Sequence, residues 1–135
     1  MKKEKRILYN AMRTPDGTIL VSQHRHDYVT HTDKNGSFYM LDGGLDYYRY
    51  SSPGDHVFIQ LTDEDPFEDI RLVFTRGSRG KNGDQPLKWI PLCEMTDEHL
   101  KATYQYCLER GQTEYLDLYL LEMDYRELHK IEIKD

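Results

Sequence analysis

What most constrains this chain is a change of rhythm about two thirds of the way along it. Up to Leu92 apolar residues come in short alternating runs broken by turn signals; beyond Thr96 they recur at helical spacing. "RILYNAM" and "TILVSQH" flank Thr14-Pro15-Asp16-Gly17, which predicts a hairpin over 6–24. "DYVTHTD" and "SFYML" flank Asp33-Lys34-Asn35-Gly36, which predicts a second. After the break at Asp42-Gly43-Gly44, "LDYYRYS" reads as a strand or an irregular aromatic segment. "HVFIQL" and "IRLVFTR" read as further strands on either side of a solvated acidic turn, "TDEDPFED". "LKWI" is the last strand, stopped by Pro91.

The second part reads differently. Thr96 followed by Asp97 and Glu98 is a helix start, with acids at the positive end of the dipole. Leu100, Tyr104, Cys107 and Leu108 fall on one face, and Gly111 supplies the stop. A second helix, "TEYLDLYLLEMDYREL", is capped by Thr113 and apolar on most sides, and "HKIEIK" is expected to return as a short strand. Strands first and helices after predict an α+β fold. It is expected to have an antiparallel sheet of about six strands followed by two C-terminal α-helices packed on it. The expected organisation is a single domain over 1–135, β-rich over 1–92 and helical over 96–127.

Charge narrows the partners. Residues 1–93 carry 13 basic and 13 acidic side chains, whereas 94–135 carry 5 and 11, which accounts for the whole net charge of −6. Long nucleic acid is therefore not an expected partner, because it demands many cations to displace counterions. A small phosphorylated ligand needs only two or three. "MKKEKRILYN" has no apolar run behind its basic residues, and no stretch approaches a membrane span. Cys93 and Cys107 match no redox or zinc spacing. The reading is a soluble cytoplasmic protein with two free thiols, no membrane partner, no metal and no cofactor.

Two segments concentrate chemistry. "VSQHRHDYVTHTD" holds three of the six histidines. His24 and His26 flank a corner with Arg25 pointing the other way, and His31 has odd spacing from His26, so three zinc ligands do not line up. The bland reading is polar residues at a strand end; the sharper one gives Arg25, with its planar fork, to a phosphate. "FTRGSRGKNGDQP" combines Gly77, Gly80 and Gly83 with Arg76, Arg79 and Lys81, which suits an anion-wrapping loop as well as a long hairpin turn. Phe74 before it and Trp89 after it would stack on a base or fill the core. No paired His-x-Thr signature and no Ser or Cys nucleophile motif occurs, so no catalytic residue is assigned.

Over residues 6–110, and above all in "RTPDGT", "HRHDYVTHTD", "LDGGLDY" and "GKNGDQPL", the chain resembles a widespread group of small phage proteins. That group is, or adjoins, the first-described Thoeris anti-defence family. The resemblance implies a sponge that sequesters cyclic ADP-ribose-type immune signals, and in some members cyclic oligonucleotides at a separate site, without cleaving them. It also implies a homo-oligomer, from dimer to hexamer. Family pockets set an aromatic ring on adenine, an Asn, and arginines on the phosphates. The counterparts here are Phe74, Asn82 and Arg25, with Arg76 and Arg79 as further cations. The first helix offers no arginine to complete a pocket, a departure for which Lys101 stands as substitute. The rival expectations are a phosphodiesterase or hydrolase using His24, His26 and His31, and an inhibitor acting by protein–protein contact.

Overall fold

The computed structural model describes residues 5–134, so part of the basic N-terminal segment lies outside the described residues. Among the described residues ten short strands and three helices make a mixed α+β fold. The strands are β1 (Ile7–Tyr9), β2 (Ala11–Arg13), β3 (Ile19–Val21), β4 (Val29–Thr32), β5 (Phe38–Asp42), β6 (Arg49–Ser51), β7 (Val57–Phe58) and β8 (Leu61–Thr62), then β9 (Thr75–Ser78) and β10 (Lys88–Pro91). The helices are α1 (Phe67–Val73), α2 (Asp97–Glu109) and α3 (Leu116–His129). The chain divides into two compact units, one ending at Pro66 and one beginning at Phe67.

In the first unit both predicted hairpins form. β2 pairs antiparallel with β3, Met12 opposite Leu20, and the Thr14 amide closes the turn on the Thr18 carbonyl at 2.9 Å. β4 pairs with β5 across Asp33–Gly36, His31 opposite Tyr39. β7 adds to β2, β6 adds to β5, and β1 pairs with β8, so every ladder is antiparallel. Met12, Leu20, Tyr39 and Leu41 form the core, with Val29 and Tyr48 against it. "RILYNAM" is split at Asn10, which is fully buried. Its amide donates to the Asp42 and Gly44 carbonyls at 3.4 and 2.9 Å and so ties the first strands to the glycine break.

The second unit corrects three expectations. "IRLVFTR" is not a strand: Phe67–Val73 is helical, and only Thr75–Ser78 is extended. Glu68 and Asp69 in the first turn and Arg71 in the last suit the helix dipole, while Ile70 and Phe74, four apart, are both buried. Of the acids assigned to a turn, 63–65 do turn, with the Asp65 amide donating to the Thr62 carbonyl at 3.1 Å, whereas Glu68 and Asp69 start a helix. The second C-terminal helix starts at Leu116 behind Tyr115, which makes no side-chain cap, so Thr113 is not its cap. "HKIEIK" forms no strand; Ile133 instead exchanges hydrogen bonds with Asp97 at the start of α2.

Thr96 caps α2 as expected, accepting from the His99 amide at 3.1 Å. Gly111 at φ +70 reverses the chain after α2, a conformation that favours glycine. The inward face of α2 is Leu100, Thr103 and Cys107; Leu108 faces out. At the centre of the unit Glu122, fully buried, receives Arg71 through Nε and Nη2 at 2.8 and 2.9 Å and Arg126 through Nε at 2.8 Å. Arg126 also donates to Asp97 and to the Leu92 carbonyl, each at 2.8 Å. One carboxylate therefore ties α1 to α3, and Arg126 carries the connection on to α2. No helix among the described residues is long and apolar enough to cross a membrane.

Candidate functional site

The second unit contains a cavity of about 410 Å³ where the turn between α2 and α3 approaches β9. Gly111, Gln112, Thr113, Glu114 and Tyr115 supply the turn side, with Cys107 and Tyr119 from the helices and Arg76 from β9. The turn is held by its own backbone: the Gln112 amide donates to the Cys107 carbonyl at 2.9 Å and the Leu118 amide to the Tyr115 carbonyl at 3.0 Å.

Arg76 is set by register. β9 pairs with β10 with Arg76 opposite Ile90, which places the half-buried side chain at the cavity wall. Its Nη1 donates to the Tyr119 hydroxyl at 3.4 Å, and the guanidinium carbon stands 5.9 Å from the Tyr106 ring centroid. Arg76 makes no ion pair among the described residues. Burial pushes the Tyr119 hydroxyl above its usual pKa, and the guanidinium beside it pulls the other way. The hydroxyl therefore stays protonated through neutral pH, accepting from Arg76 and with the Cys107 thiol as its other hydrogen-bond neighbour. A fixed cation, two phenols, an amide and one carboxylate line the cavity.

Of the residues expected from sequence, Arg76 alone lines this cavity. Phe74 is 2% exposed and packs against Tyr115 at 5.0 Å between centroids, so its faces are spent on the core; this corrects its assignment as the ring that stacks on a ligand. Arg79 and Asn82 lie exposed in the loop after β9, where the Gln85 amide donates to the Arg79 carbonyl at 2.9 Å. Lys101 is exposed on α2, and Arg25 is exposed in the first unit. Sequence reasoning missed Gln112, Thr113, Tyr115 and Tyr119, whose one visible signal was the glycine break between two tyrosine-bearing helical runs.

The histidines do not converge. His24 Nδ1 is 2.9 Å from the Arg25 carbonyl, His26 Nδ1 is 2.9 Å from the Tyr47 hydroxyl, and His31 Nε2 is 2.8 Å from Asp16. Asp16 also receives the Thr14 hydroxyl; that bond first, then His31, holds its carboxyl well below the usual range. Tyr39, against which His31 stacks, donates to Asp55 at 2.8 Å, and its pKa is pushed up to about 12 by burial and that carboxylate. Among the described residues no group of three His, Cys, Asp or Glu side chains is placed to hold a metal ion.

Comparison of the chain with protein-family models, with curated proteins and with solved structures gives no match.

Proposed function

We propose that this protein is a non-catalytic binder of a small cyclic nucleotide-derived signal, of the cyclic ADP-ribose class, which it sequesters in the cytoplasm of a phage-infected cell. The observation that carries the reading is Arg76, free of any carboxylate and aimed by its bond to Tyr119, at the wall of a cavity of about 410 Å³. That volume lies within the roughly 300–1,000 Å³ of small-molecule sites. A pyrophosphate takes the guanidinium fork, and a purine takes the Tyr115 ring that the turn holds half-buried. Gln112 supplies the amide that the resemblance assigned to Asn82. Homo-oligomerisation, also implied by the resemblance, is in keeping with Leu120, Leu121 and Leu128, all exposed on α3.

The test mixes the protein with cyclic ADP-ribose isomers, filters, and heats the retained fraction. Capture with release of unaltered ligand is expected. Arg76→Gln should weaken capture by about 1.5–3 kcal/mol, the worth of a hydrogen bond to a charged group. A changed product would make the protein an enzyme, and no depletion from the filtrate would end the proposal.

A further inference from the structure

The loops 22–27 and 43–47 of the first unit are locked together beside the buried Asp42 carboxylate. The Gly44 amide donates to the Ser22 hydroxyl at 2.8 Å, and Ser22 donates on to the Asp27 carbonyl at 2.7 Å. A Cβ on Gly44 would stand 2.2 Å from the His24 carbonyl carbon, so the two backbones touch. The turn presents His26 at φ +64, a left-handed conformation that a side chain adopts at a cost of order 1–3 kcal/mol unless its surroundings impose it. Here they do: the Asp27 amide closes the turn on the His24 carbonyl at 3.0 Å.

Behind His26 runs a hydrogen-bonded chain. Its Nδ1 meets the Tyr47 hydroxyl at 2.9 Å, and Tyr47 donates to Asp42 at 3.3 Å. Asp42 is 5% exposed and also accepts the Gly43 amide at 2.8 Å. With the phenol proton on Asp42, Tyr47 accepts from His26 Nδ1–H, which leaves the exposed ring's Nε2 edge for a ligand. Two guanidiniums flank the chain. Arg49 is the cross-strand partner of Asp42, and Arg25 precedes His26. Both charges act on the Tyr47 hydroxyl, opposing the upward push of burial and Asp42. Both side chains are exposed, and neither guanidinium makes an ion pair or hydrogen bond among the described residues. Asp46, exposed in the same loop, pairs with neither.

We propose that Arg25, His26 and Arg49 form an anion site for the terminal phosphate of a small phosphomonoester, separate from the cavity of the second unit. Two unspent guanidiniums match the two charges of a phosphomonoester, whereas a phosphodiester carries only one. The imidazole and the ligand share a single proton: neutral Nε2 accepts from a singly ionised phosphate, or protonated Nε2 donates to the dianion. The carboxylate behind the chain holds the ring's orientation, as a buried partner does for other working histidines.

Calorimetric titration with phenyl phosphate, backed by amide shifts over residues 24–27 and 47–49, tests this. Saturable binding at one site is expected, with dimethyl phosphate at least about tenfold weaker for want of the second charge. Arg25→Gln and Arg49→Gln, exposed positions whose change leaves the fold intact by circular dichroism, should each lower affinity about ten- to a hundredfold. His26→Gln should weaken binding about tenfold at constant pH, for loss of the imidazole's contact with the phosphate. Arg76→Gln should leave all of this unchanged, so that failure here and failure of the cavity reading are told apart. No saturable binding, binding indifferent to both Arg25 and Arg49, or binding lost with Arg76 would each overturn the proposal.

Discussion

Glu122→Ala is the sharpest perturbation of the second unit. The carboxylate is fully buried and takes three guanidinium hydrogen bonds of 2.8–2.9 Å, two from Arg71 and one from Arg126. Arg71 and Arg126 side chains are 11% and 4% exposed, so neither reaches bulk water when its partner is lost. Arg126 keeps Asp97 and the Leu92 carbonyl, and Arg71 keeps the Tyr125 ring 4.2 Å from its guanidinium carbon. The uncompensated charge is therefore chiefly that of Arg71. Breaking a buried pair by removing one partner costs about 3–5 kcal/mol, and the partial compensation at Arg126 puts the expected loss near the lower end. Urea unfolding should show a midpoint lowered by that loss divided by the slope, with the slope itself unchanged. Replacing both partners, Arg71→Met with Glu122→Leu, should recover most of the loss, because the desolvated charge goes with its neutraliser. A single-mutant loss below about 1 kcal/mol, or a double mutant no better than the single, would refute the account of this carboxylate as the neutraliser of a buried guanidinium.

Further outcomes follow from the same structure. Phe74→Ala should cost about 3–5 kcal/mol in denaturant unfolding, as a buried aromatic truncation, whereas Phe74→Leu should keep the fold and any ligand-induced rise in Tm. Gly44→Ala should unfold the first unit far more readily than Gly17→Ala. Both glycines have positive φ, but a Cβ at 44 meets the His24 backbone at 2.2 Å while one at 17 meets nothing within 4 Å. Gly17→Ala should cost about 1 kcal/mol, so equal losses would deny the contact between the loops. Asp97 has its carboxyl held below the usual range, first by the Arg126 hydrogen bond. Its contribution is therefore complete above about pH 4, the unfolded value, and fades as pH falls through the lower folded one. Asp97→Asn should flatten that acid limb in a pH series of unfolding midpoints.

The hairpins were legible because their determinants are local: Pro15-Asp16-Gly17 and Asn35-Gly36 fix turns between neighbouring strands. Gly111 was legible for the same reason. α1 was hidden because Ile70, Leu72 and Val73 satisfy a strand pattern over so short a stretch, and its acidic first turn resembles a loop. The cavity was not legible, since Arg76 and Tyr119 are 43 residues apart and meet only through tertiary packing. The basic residues were rightly singled out as cations, but no sequence pattern told Arg76, at the cavity wall, from Arg79, in solvent.

The contact between Gly44 and the His24 backbone has a consequence for how such a chain diversifies. A bulkier residue on either loop demands a matching retreat on the other, and a lengthened turn at 24–27 would push against the glycine pair before it met solvent. Descendants of this sequence should therefore change the two loops in concert or leave both alone. At the strand-joining turns of Gly17 and Gly36 an added methyl touches nothing, so only the positive φ of each restrains drift.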